Sequence, residues 1–176
     1  MNTMLECVLA VLSTTPERWQ RLVSTLPGEL LTRPPAAGEW SARSCLQHLV
    51  DAERVLFPVR FRALLAGQDF SDFDPNEPHP DLATQTPEQL AAAFAQHRQE
   101  SLVLIQQVKD EDLERTVQHP KFGTVTLAEF LHTWAAHDLN HTIQAERALM
   151  QPFILGCGPW NFFFRDHEIS APDKEV

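Results

Sequence analysis

The segment from Thr126 to Met150 constrains the fold most, because its apolar residues follow helical spacing. At 100° per residue they form one broad stripe. The stripe consists of Leu127, Phe130, Leu131, Trp134, Ala145, Ala148 and Leu149. Thr126 and Glu129 form a capping box that starts the helix. A helix with one long apolar face must bury that face, so we expect a bundle of helices.

A first helix is predicted between Thr15 and Pro27. Thr15 is a suitable N-cap, and Pro16 fits the first helical position, where its missing N–H costs nothing. Pro27 and Gly28 stop this helix after about a dozen residues. A shorter helix through Leu5–Leu12 is expected before it.

Two further helices carry their own start and stop signals. Ser41 is the expected N-cap of a second helix that runs to Gly67 as its C-cap. Pro58 lies inside this helix and predicts a kink, because the apolar spacing continues on both sides. Thr86 starts a third helix, which is expected to end near Val108.

These four helices, with no convincing alternating strand, predict an all-α four-helix bundle. The chain has 176 residues and is 43% apolar, enough for one core, and residues 1–176 are predicted to form a single domain. We expect its core over residues 15–164 and a loose tail over 165–176. Residues 68–86 are predicted as an irregular loop, and residues 119–126 as a turn or short extended piece. The aromatic residues before the tail are expected to pack on the bundle or on a second subunit.

The charge, the cysteine content and the lack of long apolar runs limit the classes of binding partner and the cellular compartment to be expected. The net charge of −10, from 24 acidic and 14 basic side chains, argues against nucleic acid and an anionic membrane surface. No apolar run approaches the roughly 20 residues of a membrane span, and the N-terminus lacks the basic region of a signal peptide. The three cysteines form no CxxC pair. We expect a cytoplasmic protein with a small-molecule ligand.

Two histidines fall inside the apolar stripe of the last helix. His137 and His141 are one turn apart on one face, where both can reach a single ion. His132 lies about 140° from His137 and should face outward. Asp138 projects near the stripe as a candidate ligand, hydrogen-bond acceptor or base. A buried histidine that only satisfies a core hydrogen bond remains the alternative for each imidazole.

A third imidazole is available on the second helix, where His48 sits at the edge of the apolar stripe. A bundle that turns this helix toward the last one would bring His48, His137 and His141 together. Three histidines with an open position are typical of a catalytic or substrate-binding metal, whereas a structural zinc has a fourth protein ligand. Such an ion would acidify a bound water or polarise a ligand atom.

The ordered set of a Trp-Ser helix start, a histidine and an HDxxH motif resembles the DinB superfamily, metal-binding four-helix bundles that include YfiT-like proteins. The matching stretches are "GEWSARSCLQHLVDAERV", "HPKFGTVTLAEFLHTWAAHDLNHTIQAERAL" and "GPWNFF". The resemblance implies that His48, His137 and His141 are the metal ligands, that a long crossover joins the second and third helices, and that the protein is a homodimer. Relatives include thiol-dependent transferases and hydrolases, so the fold does not define the reaction.

Two classes of function follow. The first is a metal-dependent transferase or hydrolase that uses zinc, nickel, iron or copper, with a low-molecular-weight thiol as a candidate cofactor. In it Asp138 orients a ligand or moves a proton, and Trp40, Trp134 and Phe122 wall a pocket. The second is a non-catalytic metal-binding or stress-response module; a metal-free scaffold is a third alternative. Arg43, Arg54, Arg60 and Arg62 are either a basic patch for an anionic ligand or a solvated helix face.

Overall fold

The computed structural model describes residues 2–72 and 80–169, and the predicted four-helix bundle is confirmed. Four long helical elements build it: α1 (Thr3–Thr25), α3 and α4 (Ala42–Asp51 and Phe57–Leu65), α6 (Pro87–Ile105) and α7 (Leu127–Gly156). A π-helical segment, Ala52–Leu56, joins α3 to α4. The short helices are α2 (Gly28–Thr32), α5 (Pro80–Ala83) and two 3-10 helices, Asp110–Glu114 and Gly158–His167.

The packing order of the bundle differs from the order of the helices along the chain. α1 makes its main contacts with α6 and α7, and α3 packs against the same two helices. In cross-section, α1 and the α3–α4 element therefore lie at diagonally opposite corners of the bundle, and α6 and α7 lie at the other two. The chain leaves α4 at Leu65 and enters α6 at Pro87, and α7 packs directly beside α3. None of the helices in the described part of the chain is long and apolar enough to cross a lipid bilayer.

The first helix is longer than predicted, and Thr15 is not its N-cap. Asn2 caps a single helix through Thr25, and the Thr15 hydroxyl donates to the Val11 carbonyl at 2.9 Å inside that helix. Pro16 removes one backbone hydrogen bond. The continuous buried face from Leu5 to Val23 outweighs that loss, so the helix does not end at the proline.

The other helix ends follow the sequence signals closely. The Ser41 side chain accepts from the Ser44 N–H, Thr126 forms the predicted capping box, and Thr86 starts its helix with a capping box of its own. α6 ends at Ile105, slightly before the expected residue. α7 continues past Met150 to Gly156, because its buried face extends to Ile154 and its Pro152 is accommodated within the helix.

The predicted kink in the second helix takes the form of the π-helical segment. Pro58 has no N–H to donate to the carbonyl four residues earlier, so the α-helical pattern is interrupted there. The Phe57 N–H instead donates to the Ala52 carbonyl, five residues back. Such wide turns absorb an extra residue without ending the helix.

A small β-hairpin precedes α7. Strands β1 (Thr116–His119) and β2 (Gly123–Thr126) pair antiparallel, with His119 opposite Gly123. Gly123 has φ of +74°, a left-handed conformation that favours glycine in the tight turn. The stretch expected to be a turn or extended piece therefore contributes one strand and the turn, and it positions His119 and Phe122.

The aromatic residues near the C-terminus do not join the bundle core. Trp160, Phe162 and Phe163 lie on the last 3-10 helix and are all exposed. The core consists of two clusters, one around Trp134 and one around Trp19. Residues 170–176 of the predicted loose tail, and residues 73–79 of the predicted loop, lie outside the described residues.

Candidate metal centre and adjoining pocket

Three imidazoles from two helices meet in the bundle. α3 supplies His48, and α7 supplies His137 and His141, one turn apart. The Nε2 atoms of His48 and His137 are 3.1 Å apart, and one ring nitrogen from each histidine lies within 4.8 Å of the others. Two nitrogens on one tetrahedral ion at 2.0–2.1 Å would be about 3.3 Å apart, so this donor set fits a divalent metal. Among the described residues, no other His, Cys, Asp or Glu completes the group.

The imidazoles are neutral at physiological pH. Burial lowers the pKa of His48 to about 4, and the neighbouring His141 lowers it further. Burial, together with His141, His48 and Arg98, lowers the pKa of His137 to about 3. The pKa of His141 is also lowered, mainly by burial. Neutral imidazoles offer the lone pairs that a metal requires.

Gln144 fixes the orientation of one ring. The His141 Nδ1 lies 2.9 Å from the Gln144 Oε1, so Nδ1 donates and the lone pair is on Nε2. The buried Nδ1 of His137 has no hydrogen-bond partner within the described part of the chain. His132 is exposed on the opposite side of α7, as the helical angle predicts.

The three predicted pocket aromatics lie in different environments. Trp40 is 39% exposed; its ring stacks on His141 at 5.7 Å and lies 5.1 Å from His48, so it covers the histidines. Trp134 is fully buried and stacks on Phe57 at 4.9 Å, behind the pocket wall. Phe122 is 68% exposed at the hairpin turn and lines the pocket.

A pocket of about 220 Å³ adjoins His137. Its walls are mainly aromatic, from Phe57, Phe70, Phe122 and Phe130, with polar side chains from Arg60, His119, Glu129 and Thr133. Concave, mostly apolar sites with a few polar groups are the usual form of a small-molecule site. The imidazole group therefore has a small-molecule-sized space on one side.

Asp138 has a buried cationic partner that the sequence analysis did not consider. The Arg98 guanidinium binds both Asp138 oxygens, at 2.6 and 3.0 Å, and the Glu53 Oε2 at 2.7 Å. The side chains of Arg98, Glu53 and Asp138 are each 1% exposed. Trp134 donates to the same Glu53 oxygen at 3.2 Å. We call Arg98, Glu53 and Asp138 the buried ion cluster; it ties α6, the π-helical segment and α7 together directly behind the histidines.

Sequence reasoning missed Arg98 and Glu53. Arg98 follows Leu90 and Phe94 at four-residue spacing, on the apolar face of α6. A lone cation on such a face indicates a buried carboxylate partner, since an unpaired charge is too costly to bury. This signal was available in the sequence, although it did not identify which carboxylates pair with Arg98.

Cys45 and the four arginines have structural explanations. Burial raises the pKa of the Cys45 thiol to about 12, so it is not an activated nucleophile. Arg43 donates to the carbonyls of Leu82, Ala83 and Gln85, and Arg54 pairs with Asp81, so both hold α5 against α3 and the π-helical segment. Arg62 donates to the Pro58 carbonyl on its own helix, whereas Arg60 lines the pocket.

A four-helix bundle with three convergent imidazoles beside a pocket defines a helical protein whose site can hold a metal. The sequence model of the DinB superfamily matches residues 12–145, and the chain belongs to this superfamily. The uncharacterized protein YuaE of Bacillus subtilis (strain 168) is 27% identical over 143 residues, covering 73% of this chain and 88% of YuaE.

The fold is also shared with a solved structure. YfiT from Bacillus subtilis, described as a probable metal-dependent hydrolase with an unusual four-helix bundle topology, superimposes with a TM-score of 0.74 at 19% identity. The match covers 87% of this chain and 90% of YfiT. In this chain the diagonal placement of α1 and α3 departs from a simple up-and-down bundle.

Proposed function

We propose that this protein is a metal-dependent hydrolase that binds a divalent ion through His48, His137 and His141. The observation that carries the proposal is the convergence of three neutral imidazoles beside a pocket, with no fourth His, Cys, Asp or Glu donor among the described residues. A three-ligand shell leaves a coordination position for substrate or water, as catalytic sites do. The description of YfiT as a probable metal-dependent hydrolase supports the same reaction class.

The chain's own residues have distinct tasks in this proposal. An ion bound here supplies Lewis-acid polarisation and lowers the pKa of a coordinated water. Gln144 holds His141 in the tautomer whose Nε2 faces the ion. Trp40 covers the histidines and limits access of solvent. Asp138 acts as a positioning residue through Arg98, because both of its oxygens are already bound to the guanidinium.

Thiol transfer is the second candidate, and the buried ion cluster is the observation that favours it. Arg98 binds both Glu53 and Asp138, so neither carboxylate is placed to act as a general base. A metal that lowers the pKa of a small thiol needs no separate base. A non-catalytic metal-binding module needs no pocket, so the space beside His137 favours turnover over sequestration.

The test of the proposed function is a metal-dependent activity screen. Tag-free protein, loaded separately with zinc, nickel or iron, is assayed on small esters and amides, and on an electrophile with and without a low-molecular-weight thiol. We expect metal-dependent hydrolysis that is lost in His137→Ala and retained in His132→Ala, since His132 lies outside the site. Turnover that occurs only when the thiol is present would show that the reaction is thiol transfer and not hydrolysis. A protein that binds metal stoichiometrically but turns over no compound would contradict both reactions.

We also propose a cytoplasmic homodimer that does not bind nucleic acid. The free thiols of Cys7, Cys45 and Cys157 support a reducing compartment such as the cytoplasm. The net charge of −10 argues against nucleic-acid binding. The exposed Trp160, Phe162 and Phe163 support an interface between two copies, since large exposed aromatics clustered on one element mark contact surfaces.

The dimer is tested by solution mass. Light scattering coupled to size-exclusion chromatography should give twice the 20.0 kDa mass of the chain. Phe163→Glu should shift the protein to the monomer, because a charge at the centre of an apolar interface is poorly solvated. Val103→Glu, at an exposed apolar position on α6, is the matched control and should remain dimeric. A parent protein that elutes as a monomer would refute the dimer.

A further inference from the structure

A second space follows the imidazoles toward the C-terminal end of α7. The pocket beside His137 uses α7 residues 129–137, whereas this cleft of about 510 Å³ uses α7 residues 140–147. His141 therefore lies between the two spaces along the helix. We call the second space the Arg147 cleft; its lining residues are Glu39, Asn140, Ile143, Gln144, Arg147 and Ile169.

Hydrogen bonds fix the two walls of the Arg147 cleft that do not belong to α7. Gln151 holds the segment that carries Ile169: its side-chain amide donates to the His167 carbonyl at 2.9 Å and accepts the Ile169 N–H at 3.0 Å. At the other wall, the Glu39 N–H donates to the Ala36 carbonyl at 3.1 Å in a turn directly before Trp40. The fold itself thus positions Glu39 and Ile169, and the cleft does not depend on a ligand to form.

Two opposite charges line this cleft without pairing. Arg147 and Glu39 are both half-buried. The Arg147 Nε is buried and has no hydrogen-bond partner within residues 2–72 and 80–169, and neither side chain forms an ion pair within 4.0 Å there. Buried polar groups are normally hydrogen-bonded, and charges removed from water are normally paired. A cation and an anion that share one cleft but do not reach each other indicate a ligand that contacts both.

Gln144 supplies a further donor and connects the cleft to the imidazoles. Its Oε1 lies 2.9 Å from the His141 Nδ1, so the oxygen accepts there and the amide nitrogen is left to donate elsewhere. This nitrogen has no partner in the described part of the chain. Gln144 and Arg147 are three residues apart on one face of α7, so one ligand carboxylate can accept from both. A ligand in the cleft therefore lies next to the residue that orients His141.

We propose that the Arg147 cleft binds a small zwitterion, an amino acid or a short peptide. Its carboxylate is held by Arg147 and Gln144, and its ammonium group by Glu39. Ile143 and Ile169 supply apolar surface for its side chain. This recognition goes beyond the proposed function, because it requires neither the metal nor hydrolysis.

Charge and size favour a zwitterion over a simple anion. The protein carries a net charge of −10, and its field opposes the approach of a net anion. Glu39 would repel an anion held by Arg147 alone, whereas an ammonium group on the same ligand turns that repulsion into attraction. The volume of about 510 Å³ lies within the range of roughly 300–1,000 Å³ for small-molecule sites.

The experiment measures how much each charge of the ligand contributes to binding. L-leucine and glycyl-L-leucine, each beside its N-acetyl and its C-terminal amide derivative, are titrated by calorimetry into the protein as purified and after treatment with EDTA. For at least one of the two we expect the zwitterion to bind about tenfold tighter or more than either derivative, the size expected for a hydrogen bond to a charged group.

Variants assign each charge to its partner. Arg147→Gln should abolish the preference over the amide, and Glu39→Gln should abolish the preference over the N-acetyl derivative. Arg147→Lys keeps the positive charge and should retain part of the preference. Arg21→Gln and Glu100→Gln, at exposed positions outside the cleft, are the matched controls and should retain all of it. Circular dichroism checks that each variant remains helical.

The outcomes separate zwitterion recognition from catalysis and from simple chelation. A preference that persists after EDTA, with no hydrolysis of any ester or amide, would leave the cleft site in place and remove the hydrolase function. Equal binding of all three forms, no binding of either zwitterion at millimolar concentration, or an unchanged preference in Arg147→Gln would each overturn the site. Binding lost on EDTA treatment and in His137→Ala, but kept in Arg147→Gln, would mean that the amino acid chelates the metal instead.

Discussion

Replacing His48 or His137 with alanine should reduce bound metal from near one ion per chain to a small fraction. In the proposed metal site each substitution removes one of three converging nitrogen donors and leaves two, which could not hold an ion in the same geometry. Loss of an outer-shell partner alone costs about 10–100-fold in metal affinity, and loss of a direct ligand should cost more. Elemental analysis of tag-free protein, followed by competition with a chromophoric chelator, measures the change.

His132→Ala is the matched control for this experiment. His132 is on the same helix but exposed on its far side, so its removal should leave the metal content unchanged. Circular dichroism checks that each variant remains helical. Equal metal content in the parent, His137→Ala and His132→Ala would place any bound ion elsewhere, and a parent that takes up no metal after reconstitution would leave the imidazoles as core residues.

Arg98→Met should destabilise the protein by about 3–5 kcal/mol, a large part of the roughly 5–15 kcal/mol that stabilises a typical domain. Methionine fills much of the arginine's volume but leaves Glu53 and Asp138 buried without a cation. It also removes the donor that binds the Leu12 carbonyl at 2.9 Å. Chemical denaturation monitored by circular dichroism gives the free energy of unfolding.

Two comparisons test the cause. Arg18→Met breaks a contact with Glu146 in which both side chains are about half exposed, so it should change the unfolding free energy by no more than about 1 kcal/mol. Adding Glu53→Gln and Asp138→Asn to Arg98→Met removes the orphaned charges and should recover part of the loss. An Arg98→Met variant as stable as Arg18→Met would show that the buried ion cluster contributes little.

The local features of this fold were predictable because neighbouring residues determine them. Ser41, Thr86 and Thr126 cap helices through side chains and backbone groups at most three residues apart. His137 and His141 share a face by helical spacing alone. The N-terminal helix was predicted too short because Pro16 is a local stop signal, while the long buried face that overrides it depends on the packed bundle.

The longer-range features could not be derived from spacing. His48 reaches His137 across 89 positions; helical spacing made their meeting only one option among several packings, and the resemblance to a known superfamily selected it. Arg98 finds its carboxylates 45 and 40 positions away, in directions set by helix packing. The pocket depends on a hairpin of two four-residue strands, too short for alternation to be recognised. Trp134 was predicted to line the pocket, but Phe57 stacks on it and forms the wall in its place.

The π-helical segment determines in which direction the side chains of α4 point relative to those of α3. Nine positions separate His48 from Phe57, and nine residues of a regular α-helix would turn them to opposite sides. In this chain the Ala52 N–H donates four residues back to His48, and the Phe57 N–H donates five residues back to Ala52. His48 and Phe57 consequently face the same neighbour, His137: their ring centres lie 5.1 and 4.9 Å from the centre of the His137 ring. The alignment of the His48 imidazole with the pocket wall at Phe57 thus depends on how many residues lie between them, so a change of length there would alter the site without replacing any residue in it.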